Sequence, residues 1–294
     1  MERRLIAADK GSVAVAYHAP AVEISGLPLL VALHGGTYTS EYFGVAGGPS
    51  GSFLDIAGRN GFAVLTVDRP GYGESTLLPE EDNTFARQAE ILDGVIAAAL
   101  DAWPAPGVVL VAHSIGGMIS LEIAARHPHW PLAGVATSGN GARIPAGGAA
   151  EALGSLPLSG VVDLPVAERD GVMFGPAGSF TEAARNAAHG SYAPTPFIEL
   201  VRAPVWAAER LSIVAAAVEV PVLTVLGAYD ALWDSSAEAR ADYESRFTVP
   251  VSAPVLPGAG HSIDHHVMGV ALDLMQLGFA QECMVLRGQA ARVA

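Results

Sequence analysis

Gly107-Val-Val-Leu-Val-Ala-His-Ser-Ile-Gly-Gly-Met118 carries a β-branched apolar run that stops at a serine, after which small residues open a helical pattern. The order of strand, sharp turn and helix puts the Ser114 hydroxyl at the apex of the turn. Such a turn holds its serine in a strained backbone conformation with Oγ lifted clear of the sheet, so the residues two before and two after it must be small. Here they are Ala112 and Gly116. The usual pattern has glycine at both positions, and alanine at the first still leaves room for the helix to pack. The string alone is not specific. Gly48-Pro-Ser-Gly-Ser52 nearly matches it, but no strand precedes it, and it reads as a loop entering a helix at Ser52.

Outward from the elbow, continuous apolar runs recur at Pro28 to Leu33, Phe62 to Val67, Leu132 to Thr137 and Val220 to Leu226, each suited to a strand buried on both faces. Val13 to Tyr17 alternates weakly and reads as an early edge strand, with Asp9-Lys-Gly11 as a hairpin turn before it. Helical patterns lie between the runs, at Ser52 to Arg59, Thr84 to Asp101 and Gly117 to His127. Strand alternating with helix predicts an α/β fold with a mostly parallel central sheet flanked by helices.

From Ala142 to Ala208 the regularity breaks into Gly- and Pro-rich sequence with scattered large apolar residues, among them Met173, Phe174, Phe180, Tyr192, Phe197 and Trp206. A run this long in one domain predicts a lid of short helices inserted after the sixth core strand. The expected division is a core of residues 1–141 and 209–294, with 142–208 as the lid. Further on come a strand leading to Asp230, a helix at Ser236 to Arg246 and a short strand at Ala253 to Leu256. A final helix is expected from His265 to Glu282, with Val267, Val270, Ala271, Leu274 and Leu277 on its apolar face.

Composition narrows the function. The chain has 294 residues, 51% of them hydrophobic, enough for one large core. Thirty acidic against 16 basic residues give a formal charge of −14, which repels phosphate backbones and anionic membranes, so neither nucleic acid nor membrane is an expected partner. Lys10 is the only lysine, so Walker-type phosphate binding and Schiff-base chemistry lack their central residue. The single Cys283 cannot form an intrachain disulfide. Charge interrupts the first ten residues before any signal-peptide core forms, and a cytoplasmic location is expected.

Four features stand in a telling order: His34-Gly-Gly36 after a central strand, Asp68-Arg-Pro-Gly-Tyr-Gly-Glu-Ser75 after the next, the Ser114 elbow, and Asp230 followed by Gly258-Ala-Gly-His261. In these the chain resembles the α/β-hydrolase family from about Leu29 to Leu277. The resemblance implies a catalytic triad in the chain order serine, acid, histidine, here Ser114, Asp230 and His261. Serine is a weak nucleophile until imidazole takes its proton, and the imidazole needs an anion to fix its tautomer. Asp234 competes with Asp230 for the acid, but Asp230 follows the strand and its Gly227-Ala-Tyr turn directly, which leaves Asp234 as a helix-capping residue.

The resemblance also implies an oxyanion hole from the backbone N–H groups of Ile115 and Gly36, with Thr37 as neighbour and His34 bracing the loop. Thr37, His113, Phe174, Trp206 and Trp233 are the expected substrate-binding residues. No cofactor is expected: Gly71-Tyr-Gly73 lacks the third glycine of a dinucleotide fingerprint, and His261-Ser-Ile-Asp-His-His266 lacks the alternate histidine of a dinuclear metal motif. A serine at the elbow, where dehalogenases and epoxide hydrolases of this fold use aspartate, implies acyl transfer to water. The expected substrate is a small apolar or aromatic ester or thioester. The alternatives on the same fold are a small-ligand receptor and a cofactor-free lyase or isomerase.

Overall fold

Strand β3 (Leu29–Leu33) is buried along its whole length, and its side chains divide by parity: Leu29, Val31 and Leu33 enter one core, Leu30 and Ala32 the other. An all-apolar strand is the signature of a sheet covered on both faces, and the computed structural model, which describes residues 1–156 and 159–293, has that architecture.

Strands β1 (Glu2–Ala8) and β2 (Gly11–His18) form an antiparallel hairpin, and β2 pairs antiparallel with β4 (Val64–Val67). Then β3, β5 (Val108–His113), β6 (Leu132–Ser138), β9 (Val222–Gly227) and β10 (Val251–Ser252) follow in parallel, giving the order β1-β2-β4-β3-β5-β6-β9-β10, with β11 (Val255–Leu256) also parallel to β9. The two-residue strands β7 (Val161–Val162) and β8 (Thr195–Pro196) pair with each other outside this sheet. The fold is therefore the α/β-hydrolase fold, with a mostly parallel sheet.

Helices α2 (Phe85–Ala102) and α3 (Ile115–Ala125) cover one face, and α1 (Phe53–Arg59) lies on the other. Ser52 caps α1 with a reciprocal Ser52–Asp55 capping box, the device a loop uses to enter a helix. Between β6 and β9 the chain forms α4 (Ala149–Gly154), α5 (Val166–Met173), α6 (Glu182–Ala188), α7 (Phe197–Glu209) and α8 (Leu211–Ala217). Leu211, Val214 and Ala215 of α8 join the core on the α2 and α3 face. Helix α9 (Ala237–Glu244) follows β9, and α10 (Gly269–Val293) closes the α1 face. Among the described residues no helix is long and apolar enough to cross a membrane.

Two expectations need correction. The edge is β1, not Val13 to Tyr17: the hairpin turn folds Glu2–Ala8 back along β2, and its exposed charges suit an unpaired edge. Of the residues expected on the apolar face of the last helix, Leu277 is buried and Val270 and Ala271 pack against the core, but Leu274 and, just before α10, Val267 face solvent, while Leu272, Asp273, Gln276, Ala280 and Cys283 are buried. The buried stripe includes the polar Asp273 and Gln276, so the apolar letters mark only part of it.

Candidate active site

Ser114 joins β5 to α3 with φ 52° and ψ −123°, a left-handed backbone that costs a non-glycine residue about 1–3 kcal/mol. The surroundings hold it there. Its N–H donates to Ser138 O at 2.8 Å, and a Cβ on Gly116 would stand 2.2 Å from Leu33 O, so only glycine lets α3 lie this close to β3.

His261 follows β11 in a glycine-rich turn. Its Nδ1 lies 2.9 and 3.1 Å from the two carboxylate oxygens of Asp230, with neither side chain exposed, and its Nε2 is buried without a hydrogen-bond partner. The ring stands 4.8 Å, centroid to centroid, from that of His113, the residue before Ser114. Asp230 Oδ1 also accepts the N–H groups of Leu232 and Trp233, at 2.8 and 3.1 Å, which fixes the carboxylate in the turn after β9. Asp234 takes no part: its Oδ1 accepts the Ser236 N–H, and Ser236 itself caps α9.

The turn after β3 is held from behind by one buried guanidinium. Arg69 Nε donates to His34 O at 2.8 Å, Nη2 donates to Gly35 O at 3.1 Å and to Glu199 of α7 at 3.0 Å, and Nη1 donates to Gln88 of α2 at 2.9 Å. His34 accepts the Arg69 N–H through Nε2 at 3.0 Å, so the ring is neutral, and burial beside the Arg69 charge holds it well below the ordinary histidine pKa. The Asp68–Ser75 motif thus braces the His34–Gly36 turn. Thr37 has φ 66°, and its carbonyl accepts Ala193 N–H at 2.9 Å from the inserted segment.

A cavity of about 110 Å³ opens over Ser114. Gly36, Thr37, Ser114 and Ile115 form one end, Met118, Leu200, Ala203 and Pro204 a wall, and Leu153, Leu164, Val172 and Met173 the cover. Leu232 and Trp233 extend it from the Asp230 turn, and Glu168 and Arg169 are its charged lining residues. The lining is mainly apolar, and the volume is somewhat below the about 150 Å³ of a cavity that holds benzene.

Of the expected substrate-binding residues, Thr37 and Trp233 line this cavity, and three do not. His113 lies beneath the elbow, stacked on Tyr42 at 4.6 Å with Nδ1 3.2 Å from Ser138 Oγ, and burial with the neighbouring His261 holds its pKa well below the ordinary value. Phe174 packs against Phe180 and His266 instead, at 4.8 and 5.4 Å, while its neighbour Met173 reaches the cavity. Trp206 turns toward α3 because its indole N–H finds Glu122 there, at 2.8 Å. Arg169, Met118, Leu200 and Val172 went unread. Nothing in the irregular stretch marks Arg169 as buried, and Met118 reads as ordinary helix core.

The histidines after His261 are structural. His265 Nε2 donates to Tyr42 O, and burial pushes its pKa down to about 4. His266 Nε2 accepts the N–H groups of Gly175 and Gly260, at 2.9 and 3.0 Å, tying the inserted segment to the His261 turn. Among the described residues no group of three or more His, Cys, Asp or Glu side chains could hold a metal ion.

A model described as the alpha/beta hydrolase family matches residues 30–271. No curated protein matches in sequence. Solved structures of similar fold include a thermophilic esterase from Thermogutta terrifontis, at TM-score 0.68 and 19% identity over 97% of this chain and 100% of the other. The N-acyl homoserine lactonase AidH, complexed with N-hexanoyl homoserine lactone, matches at TM-score 0.68 and 17% identity over 96% and 98%. A proline iminopeptidase from Mycobacterium smegmatis matches at 0.63 and 18% over 97% and 100%.

Proposed function

The chain belongs to the alpha/beta hydrolase family, and on that premise we propose that it is a serine hydrolase cleaving a carboxylic ester or thioester of a small apolar or aromatic acid through an acyl-enzyme. One observation carries the reading: the His261 ring is fixed through Nδ1 by buried Asp230, and its other nitrogen is left without a partner in the protein. An imidazole so held is oriented to take a proton through Nε2, and Asp230 stabilises the charge that results.

In this mechanism His261 removes the Ser114 proton as Oγ attacks the carbonyl carbon. The oxyanion is received by the N–H groups of Ile115, at the open start of α3, and Gly36. Losing one such donor typically costs about 3 kcal/mol of transition-state stabilisation. Collapse expels the alcohol or thiol, protonated by His261, and the acyl group stays on Ser114 in the cavity. Water then attacks with His261 as base, releasing the acid. The cavity's size and mainly apolar lining support a small acyl group whose carbon chain is apolar. The esterase, lactonase and iminopeptidase of similar fold support acyl-bond chemistry in general. Residues 142–208 act in this reading as a lid over the acyl group.

Intact mass after exposure to a fluorophosphonate tests the reading, because only an activated serine is labelled efficiently. The expected result is one adduct on wild type and none on Ser114→Ala or His261→Ala. A folded wild type that takes no adduct overturns it, and the receptor and isomerase alternatives then take its place.

A further inference from the structure

Arg169 of α5 lines the cavity with a side chain only 2% exposed, and its Nε is buried without any hydrogen-bond partner. Its bonds elsewhere leave that nitrogen unserved. One terminal nitrogen pairs with Asp163, whose own side chain is 72% exposed, and the guanidinium carbon lies 5.1 Å from the centre of the Tyr192 ring. Trp233, also on the cavity, has a buried indole N–H with no partner, and Thr37 Oγ1 is likewise unserved. Two residues that line this mainly apolar cavity therefore each carry a buried N–H donor, one of them cationic, that lacks an acceptor within the protein. The other charged lining residue, Glu168, is exposed, so water screens it.

A buried donor without an acceptor is costly, and a buried guanidinium more so. The missing acceptor is most simply supplied by the ligand. Resting on the serine-hydrolase reading, we propose that this site selects acyl groups bearing a carboxylate at the end remote from the reacting carbonyl, received by Arg169, with the Trp233 indole N–H as a further donor on the same cavity. The substrates are then half-esters or half-thioesters of small dicarboxylic acids. The acyl side is the relevant one because that group stays attached to Ser114 inside the cavity after the alcohol or thiol has left. A planar guanidinium suits this task, since it matches a carboxylate and keeps its charge when dehydrated.

The test compares p-nitrophenyl half-esters of succinic, glutaric and adipic acids with the uncharged p-nitrophenyl esters of equal chain length. At one length wild type should favour the half-ester by about 10- to 100-fold in kcat/KM, the range of a charge-assisted hydrogen bond. Arg169→Met should collapse that ratio to near one or reverse it, and Arg169→Lys should restore part of it, mainly through KM. Wild type with no preference at any length, or a preference that survives Arg169→Met, overturns the proposal.

Calorimetric binding of succinate, glutarate and adipate to wild type gives a readout independent of turnover and of variant folding. One of them should bind, competitively with fluorophosphonate labelling, while the corresponding primary amides do not. Equal binding of acids and amides, or none, also overturns the proposal. If the labelling itself fails, the serine-hydrolase reading falls, whereas labelling without acid selectivity removes only the role of Arg169.

Discussion

Arg69 and Glu199 form a 3.0 Å ion pair in which neither side chain is exposed, joining the turn after β4 to helix α7 of the inserted segment. Glu199 also accepts hydrogen bonds from Tyr72 and Gln88, so its charge is fully partnered. The same guanidinium grips His34 O and Gly35 O. A peptide's carbonyl and N–H point in opposite directions across a rigid plane. Fixing the Gly35 carbonyl therefore also fixes the direction of the Gly36 N–H. In the proposed mechanism Arg69 is a positioning residue, acting through that peptide.

Replacing Arg69 separates its two effects. Arg69→Met leaves Glu199 buried and unpaired, and should cost about 3–5 kcal/mol of stability. Arg69→Met with Glu199→Leu should recover most of that loss, because an apolar pair replaces the charged one. It should not recover kcat, which stays about tenfold down, since the Gly35 carbonyl keeps only the His34 Nδ1 donor at 2.8 Å and has lost the guanidinium that held the turn from behind. Urea unfolding and steady-state kinetics on the three proteins check both halves.

Glycines at the two sides of the site should respond differently to alanine. At Gly36 an added Cβ meets only the tips of Ile115 and Leu200, at 3.0 and 3.2 Å, which can shift. Gly36→Ala should fold, losing about 1 kcal/mol, with its defect in kcat/KM. At Gly116 the added Cβ meets the Leu33 carbonyl at 2.2 Å, which is backbone. Gly116→Ala should lose more than about 3 kcal/mol or fail to fold. Comparable melting temperatures for the two variants would contradict this account.

Asp273 in α10 is buried with Oδ1 unpartnered, and burial together with nearby Asp264 holds its pKa well above the usual carboxylate value. The folded chain keeps a proton that the unfolded chain releases near pH 4. The contribution to stability is therefore full below that pH and is lost as pH rises through the folded value. Burial pushes Asp264 up as well, to about 6, and Tyr42 donates to it at 2.6 Å. Asp273→Asn should raise the melting temperature by several degrees at pH 8 and by clearly less at pH 4.5. Calorimetric melts at the two pH values decide it, and an equal shift at both would rule out the linkage.

Trp206 bonds to Glu122, which also receives Arg210 through 2.8 and 3.0 Å contacts, so the indole secures α7 to α3 away from the cavity. Trp206→Phe removes one donor from a buried carboxylate and should cost about 1–3 kcal/mol. KM for a short acyl ester should stay within about threefold of wild type. A tenfold rise in KM would return Trp206 to the binding site.

Strand and helix order were legible because each central strand is an unbroken apolar run, and the elbow because its small residues are demanded by a local close approach. That Asp230 and not Asp234 meets His261 could be read from its distance from the end of β9. The wall of the cavity was harder to read. Whether Met173 or Phe174 faces inward depends on the helix end between α5 and the Gly175 turn, a matter of one residue of phase. Trp206 and Phe174 looked like pocket residues because large apolar letters in an irregular stretch say nothing about direction. Arg169 gave no signal, since its burial depends on Tyr192 and Asp163, which are not its neighbours in any periodic pattern.

Helix α4 buries none of its residues, yet Ala150 and Leu153 face the cavity. Its detachment exposes little apolar surface and breaks no buried charge pair, unlike any displacement of α7. Surface segments of this kind rearrange in nanoseconds to microseconds, far faster than a typical turnover of about 10 per second. Motion of α4 over the cavity is therefore fast compared with a turnover on that scale. In the proposed mechanism, thickening the solvent with glycerol should therefore leave the rate at saturation unchanged, because that rate would belong to the chemistry at Ser114 and not to α4.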